Sequence, residues 1–268
     1  MVLENRFNKL IEARHGTILY NKNDIYIGKS IEKYGEFSYL EAKIFEQICK
    51  DGDVVIEVGA NIGAHTLYLS KLVGNGFVFA FEPQRLVFQN LCANLALNSI
   101  SNVFAYQEAV SNENGTIIIP ECNFKENNNF GGINIENTKN GTTVNKQKLD
   151  NFLNKINRLK LLKIDVEGME ISVIKGASEL IKKFRPMIYV ENDRQEHSKE
   201  LIELLWSLDY KMYWHLPKLY NENNFFNDKE NIFGNIVSVN MFCIHKDSNI
   251  KILDMTEVLD SSFHPMKR

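Results

Sequence analysis

The stretch Val54-Val55-Ile56-Glu57-Val58-Gly59-Ala60-Asn61-Ile62-Gly63-Ala64-His65-Thr66 decides the fold. A β-branched apolar run, the mark of a buried strand, stops at a glycine-containing turn, and a helical pattern starts directly after Gly63. The unit is strand, tight turn, helix, with an acid, Glu57, near the strand end. Working outward, Phe77 to Phe81 is a second apolar run ending in Glu82, and 103–106 is a third, ending near Glu108-Ala109. Helical patterns lie between them at 63–73, closed by Gly74, and at about 84–97. The pattern resumes with a strand at 160–165 ending in Asp165 and a helix from Gly168 through about Phe184. A strand at 187–190 follows, opened by Pro186 and ending in Glu191-Asn192-Asp193. A helix at 198–208, a strand at about 210–213 and a last strand at 236–245 complete the count. Alternation of this kind predicts an α/β domain: a mainly parallel sheet, helices on both faces and right-handed crossovers.

The flanks read less sharply. In residues 1–50, Gly16 to Tyr20 and Ile25 to Gly28 alternate around Asn21-Lys22-Asn23-Asp24, which predicts a hairpin. Ser38 is placed to N-cap a helix with Leu40, Ile44, Phe45 and Ile48 on one face. This hairpin and helix form an N-terminal extension packed on the core, with a lid among its possible roles. Residues 51–250 form one domain. Within it Ser111 to Pro120 predicts a hairpin turning at Asn114-Gly115, and Leu149 to Ile156 a short helix. Residues 121–146, rich in Asn and Gly, read as an inserted loop, either a plain surface loop or a binding lid. The tail, 251–268, is weakly patterned.

Composition narrows the function classes. The chain has 268 residues, 44% hydrophobic and 24% charged, ordinary values for a water-soluble domain. Its net charge of -3 supplies no field to attract phosphate, so no nucleic-acid partner is expected. The apolar runs are too short and too interrupted to span a bilayer, and the N-terminus has no apolar signal region, so a cytoplasmic location is expected. Cys49, Cys92, Cys122 and Cys243 lie far apart without a CxxC pair, which excludes a thiolate metal framework. Cys49, Cys92 and Cys243 sit in apolar patterns and read as core thiols; Cys122 lies in the loop.

The chemistry lies at the strand ends. Glu57, Glu82, Asp165 and Glu191 close successive core strands, and in an open α/β sheet a ligand binds outside those ends. The turn Gly59 to Gly63 is GxxxG, neither the GxGxxG of dinucleotide sites nor a P-loop, and no Lys follows to hold a phosphate. Glu82 is placed to accept hydrogen bonds from both hydroxyls of a ribose. An acid-flanked turn without a phosphate-holding group suits a cationic, phosphate-free nucleoside, and S-adenosylmethionine is such a ligand.

Three blocks carry a resemblance: Glu57 through Thr66, Ala80-Phe81-Glu82-Pro83, and Lys163-Ile164-Asp165-Val166-Glu167-Gly168-Met169-Glu170. Together with Lys175-Gly176-Ala177 and the stretch from Asn231-Ile232-Phe233 to Asn240, the chain resembles the FkbM-type methyltransferases from about Tyr34 to Ile244. These are a branch of the class I S-adenosylmethionine-dependent methyltransferases. The resemblance implies a Rossmann-like seven-stranded sheet of order 3-2-1-4-5-7-6 with strand 7 antiparallel. It implies O-methyl transfer to a hydroxyl, foremost of a sugar or surface glycan, which can be nucleotide- or lipid-linked. A polyketide or other small-molecule hydroxyl is the alternative acceptor, and a non-catalytic nucleoside-binding module is the alternative of a different class. By position, Gly59, Ala60, Asn61, Gly63, His65 and Thr66 would hold the methionine part with Glu57. Glu82 and Pro83 would hold the ribose, Glu108 and Ala109 would frame the adenine, and Asp165 and Glu167 would face the donor. Glu57 stands where many relatives carry Asp.

A sugar hydroxyl is a poor nucleophile near neutral pH, so a general base or a metal is wanted. Asp165 and Glu191 are the catalytic candidates. Asp165, Glu191, Asn192 and Asp193 could alternatively ligate a hard cation such as Mg2+. Asp165 could instead N-cap the following helix. His197 and His215 are alternative bases, and Trp214 and Tyr220 could stack on a sugar ring.

Overall fold

The computed structural model describes residues 3–133 and 140–267. The chain begins with β1 (Leu3–Glu4), β2 (Asn8–Ala13), β3 (Gly16–Asn21), α1 (Ile27–Tyr34) and α2 (Tyr39–Ile48). It continues through β4 (Val54–Val58), α3 (Ala64–Val73), β5 (Phe77–Phe81), α4 (Arg85–Leu97) and β6 (Val103–Tyr106). Next come β7 (Ala109–Val110), β8 (Gly115–Ile119), β9 (Thr142–Gln147) and a 3-10 turn at Leu149–Phe152. The second half holds β10 (Leu161–Ile164), α5 (Glu170–Gly176), α6 (Ser178–Phe184), β11 (Met187–Glu191) and α7 (Gln195–Ser207). Strands β12 (Tyr210–His215), β13 (Asn240–His245) and β14 (Thr256–Glu257) close it.

The main sheet runs β14-β12-β13-β11-β10-β4-β5-β6. The strands from β6 across to β11 are parallel, and β13 is antiparallel to both neighbours. Counting only the seven long strands, the order is third, second, first, fourth, fifth, seventh, sixth. The weakly patterned tail adds β14 as an eighth strand at the edge. Strand β4 is buried at every position because period-two alternation feeds both faces. Val54, Ile56 and Val58 pack with Phe152, Leu162 and Ile188, whereas Val55 packs with Phe45, Leu69 and Leu161. Glu57 shares the second face. Among the described residues, no helix is long and apolar enough to cross a membrane.

Several expectations are corrected. The N-terminal hairpin is β2 with β3, Asn8 pairing with Asn21 and Ala13 with Gly16, so it turns at Arg14-His15. Residues 25–28 lead into α1 instead, because Asp24 Oδ1 accepts the Tyr26 N–H at 2.9 Å and turns the chain. The extension docks on α4, where the Asn94 amide accepts from Leu19 N at 2.6 Å and donates to Leu19 O at 3.0 Å. That amide satisfies both polar groups of a strand-edge residue.

The expected hairpin at 111–120 is replaced by a small sheet of order β7-β9-β8, in which Ile117 pairs with Val144. The partner strand lies in the 121–146 stretch read as loop; residues 134–139 of that stretch fall outside the described residues. The helix expected through Phe184 is two helices, α5 and α6. Asp150 Oδ1 caps the second from outside, accepting Glu179 N and Leu180 N at 3.1 and 2.9 Å. The last strand starts at Asn240 rather than 236. Ser38 does precede α2, but its hydroxyl donates to Glu41 Oε1 at 2.7 Å rather than capping a backbone amide. Cys92 is exposed, not a core thiol; Cys49 and Cys243 are buried.

Gly59 has a φ of +83°, and a Cβ built there would lie 1.7 Å from the Asp165 carbonyl oxygen. Gly59→Ala is therefore expected to cost about 2–3 kcal/mol of stability, from backbone strain and overpacking together. Urea denaturation measures it, and an unchanged midpoint would show that β4 and β10 separate easily at this point.

Candidate active site

Strands β4 and β10 pair in register, which sets Lys163 beside Glu57. Lys163 and Asp165 are two apart, so the strand aims both to one side. Lys163 Nζ lies 3.2 Å from Asp165 Oδ2 and 3.7 Å from Glu57 Oε1. The Lys163 and Glu57 side chains are 2% and 1% exposed, while Asp165 is 40% exposed and open to a ligand. Burial opposes the Lys163 charge, but Asp165, Glu57 and Glu41 outweigh it and hold the ammonium protonated well above its ordinary value. Thr66 Oγ1 donates to Glu57 Oε2 at 2.6 Å. Glu41 enters from α2, buried, accepting from Ser38 Oγ at 2.7 Å and from Asn240 Nδ2 at 3.3 Å.

The end of β5 supplies Glu82. Its Oε2 accepts the Asn61 N–H at 3.0 Å and its Oε1 the Gln84 N–H at 2.8 Å, so the turn after β4 and the start of α4 fix the carboxyl plane. Burial pushes its pKa up to about 7 against the pull of those two amides. His65, buried beside Phe37 and Phe45, is pushed down to about 3 by burial and then by Lys163, so it stays neutral.

Across β10 and β11, oxygens of Asp165, Glu167 and Glu191 lie within 4.8 Å of one another. Glu191 Oε2 is enclosed and has no hydrogen-bond partner among the described residues. Burial, then Asp165 and Glu167, raise the Glu191 pKa well above the usual carboxylate range. Arg194 Nη2 donates to Glu167 Oε2 at 2.5 Å. Burial, then Asp165 and Asp193, still raise Glu167 to about 7.

These groups line one cleft of about 420 Å3, within the range of small-molecule sites. Its lining includes seven carboxylate side chains and two strong bases, Lys163 and Arg194. Tyr26, Ile27 and Phe37 of the N-terminal extension contribute an apolar wall, with Leu219 and Ile236 from the loop between β12 and β13. Asn129, Gly131 and Gly132 bring the 121–146 stretch to the same cleft.

Residues 57–212, which begin in β4 and end in β12, match the family model described as Methyltransferase FkbM domain. The chain belongs to the FkbM methyltransferase family. Methyltransferase sdnD of Sordaria araneosa is 28% identical over 181 residues, 54% of this chain and 70% of that protein. Hexuronic acid methyltransferase AglP of Haloferax volcanii is 25% identical over 178 residues, 66% of this chain and 70% of that protein. The crystal structure of methyltransferase FkbM from Methylobacillus flagellatus matches with a TM-score of 0.46 at 17% identity, over 76% of this chain and half of that one.

Within this FkbM chain, the candidates Glu57, Gly59, Ala60, Asn61, His65, Glu82, Asp165, Glu167 and Glu191 all line the cleft. Gly63 and Thr66 do not. Gly63 adopts a φ of +86° to start α3, and the Thr66 hydroxyl is engaged by Glu57. Pro83, Glu108 and Ala109 meet in a small separate hollow that shares Gly59 with the cleft, and Glu108 Oε2 accepts from Gln147. Asn192, a candidate metal ligand, is turned inward by alternation along the strand end and is absent from the cleft lining; its Nδ2 donates to Ser198 Oγ at 3.0 Å. Glu167, on the cleft side, stands with Asp165 and Glu191.

The alternative bases are also displaced. His215 Nδ1 is 2.7 Å from the Tyr189 hydroxyl, outside the cleft lining, and burial pushes it down to about 4. His197 is likewise absent from the lining. Trp214 packs on His264 and Tyr220 on Tyr34. Asp165 does not cap α5, whose preceding amides at Val166 and Gly168 donate to Glu170 Oε1 at 3.4 and 3.1 Å. Sequence reasoning missed Glu41, Lys163 and Arg194 as site residues. Lys163 was legible, since a residue two before Asp165 on a strand must share its face.

Proposed function

We propose that the protein is an S-adenosylmethionine-dependent O-methyltransferase acting on a hydroxyl of a sugar or glycan. The observation that carries the reading is Glu82: a buried carboxylate at the end of β5, held by two backbone amides and bordering the cleft. Such a group can accept both hydroxyls of a ribose. The donor set agrees, because the 59–63 turn carries no basic residue for a phosphate and the carboxylate-rich lining favours a cation. The turn at Gly59 to Asn61 with His65 would hold the methionine part, and Pro83, Glu108 and Ala109 would frame the adenine.

Bound there, S-adenosylmethionine supplies a methyl group activated on a sulfonium. The chain's own work is to orient the acceptor, exclude water and take up a proton. Asp165 is the base: it is the exposed acid at the end of β10, and Lys163 fixes its carboxylate. Asp165 Oδ would take the hydroxyl proton as the acceptor oxygen bonds to the methyl carbon and the methyl–sulfur bond breaks, leaving S-adenosylhomocysteine, and would then return the proton to solvent. Positioning supplies the rest of the acceleration. A sugar acceptor is supported by the relative named for hexuronic acid and by Tyr26 and Phe37 on the wall. A small-molecule hydroxyl is the competing acceptor.

Calorimetry with S-adenosylhomocysteine tests the donor, and methyl transfer to nucleotide-sugars, methyl glycosides and uronides against small hydroxylated aromatics tests the acceptor. Saturable binding and transfer to a sugar are expected. No binding would leave a non-catalytic module, and transfer only to aromatics would remove the sugar.

A second reading rests on the three oxygens of Asp165, Glu167 and Glu191, a set of hard donors suited to Mg2+. On this reading EDTA removes at least about 90% of the turnover, a tenfold loss or more, and Mg2+ restores it. Turnover indifferent to EDTA assigns Asp165 as a base acting without a metal.

A further inference from the structure

We propose that Tyr34 and Glu36 are positioning residues that hold the loop between β12 and β13 as the acceptor-side wall of the cleft, and so set acceptor affinity. The proposal rests on the methyltransferase reading above and adds to it which part of the chain receives the acceptor.

The loop runs from His215 to Asn240 with one isolated bridge, Lys218 to Val237, as its regular pairing. Loops of this length inside a compact domain are usually functional. It brings Leu219 and the segment Ile236 to Asn240 to the cleft lining. What fixes it is a short segment of the N-terminal extension far away in sequence. Glu36, 6% exposed, takes three donors. Its Oε1 accepts from Asn221 Nδ2 at 2.8 Å, and its Oε2 accepts from Phe225 N at 3.0 Å and from Arg14 Nε. Arg14 Nη2 then donates to the Asn223 carbonyl at 2.7 Å.

One residue beyond Gly35, Tyr34 holds the other half of the loop. Its hydroxyl donates to the Glu230 carbonyl at 2.8 Å and accepts the Ile232 N–H at 2.9 Å. Its ring packs on Tyr220 and Phe233 at 5.3 and 5.9 Å between centroids. Gly35 completes the fit, since a Cβ there would meet the Phe225 ring at 2.8 Å.

These ties join no strand of the main sheet, so the sheet does not need them. They join two wall pieces instead: the extension, which places Phe37 in the lining, and the loop, which places Leu219 and Ile236 there. A buried carboxylate with three donors is costly to leave unmatched, which makes the loop's position specific rather than incidental. The donor-holding groups stand on other elements, Glu82 after β5, the 59–61 turn after β4 and His65 on α3, and of these His65 packs against Phe37. Loosening the clasp should therefore separate acceptor binding from donor binding.

The test compares wild type with Tyr34→Phe and Glu36→Gln, both close in volume to the originals. Each variant is expected to raise the KM of the wild type's sugar acceptor by about fivefold to tenfold, the effect of one or two lost hydrogen bonds. Affinity for S-adenosylhomocysteine should stay within about twofold and kcat within about threefold of wild type. Hydrogen exchange of 219–233 in the S-adenosylhomocysteine-bound protein should quicken while β4 and β10 stay protected. Unchanged loop exchange in both variants, an unchanged acceptor KM, or a donor affinity that weakens in step with KM overturns the proposal. Failure of the wild type to bind S-adenosylhomocysteine sinks the methyltransferase reading instead, and exchange of the loop in the unliganded variants then decides the clasp alone.

Discussion

Asp165→Asn is expected to lower turnover by about 10²–10⁴, the usual contribution of a general base, while donor affinity stays within about threefold. Asparagine keeps the shape and still offers an oxygen to Lys163 Nζ, now 3.2 Å from the Asp165 carboxylate. It cannot accept a proton from a hydroxyl at neutral pH. The neighbouring acid provides the contrast. Glu191 has one oxygen enclosed without a partner among the described residues, and burial with the adjacent Asp165 and Glu167 raises its pKa well above the usual range, so it gives up its proton less readily than an ordinary carboxyl. Glu191→Gln should accordingly cost less than Asp165→Asn. Single-turnover methyl transfer measures both. Wild-type turnover in Asp165→Asn, or a larger loss in Glu191→Gln, would move the base from β10 to β11.

Glu82→Ala is expected to weaken S-adenosylhomocysteine binding by about 10²–10⁴-fold, because two hydroxyl bonds to a carboxylate are each worth about 1.5–3 kcal/mol. Calorimetry reads it directly, and a loss of less than about threefold would remove Glu82 from the ribose. The same residue carries a pH signature in the ligand-free protein. Burial sets the folded pKa at about 7 against an ordinary 4.5, so the folded form binds this proton more tightly than the unfolded chain. The stability linked to it is complete below 4.5 and is lost as pH rises through 7. The difference amounts to roughly 3 kcal/mol. Glu82→Gln has no such proton, but it leaves one of the amides of Asn61 and Gln84 without an acceptor, at a cost of about 1–3 kcal/mol. Wild type should therefore lead the variant most clearly at pH 5, with the gap narrowing toward pH 8. Urea melts at the two pH values check this, and parallel pH dependence in the two proteins would contradict it.

Much of the molecule was legible from the chain alone, for a physical reason. Strand, turn and helix signals are local: side chains alternate between the two faces along β4, both of them buried, and the next strands end in acids at the same edge. The place of Asp165 beside Glu191 follows from that alternation together with the parallel order of the strands. The exclusion of Asn192 and the inclusion of Lys163 follow from the same parity and could have been drawn.

Other features depend on pairings that no local pattern carries. Strand β8 finds β9 across the 121–146 stretch, whose polar alternation resembles a loop. The N-terminal hairpin is set by Asn94 reaching the edge of β3. Glu41 comes to the cleft only because α2 packs beside β13, where Asn240 meets its carboxylate.

The sequence by itself determined the α/β sheet and the acids at its strand ends, because those depend on neighbours within a few residues. Tertiary structure alone decided that Lys163 also pairs with Glu57, that Glu167 joins the acid set, and that Tyr34 and Glu36 hold the far loop. Those partners are chosen by packing and by the need of each buried charge for a counterpart, and the chain offers many equivalent candidates until it is folded.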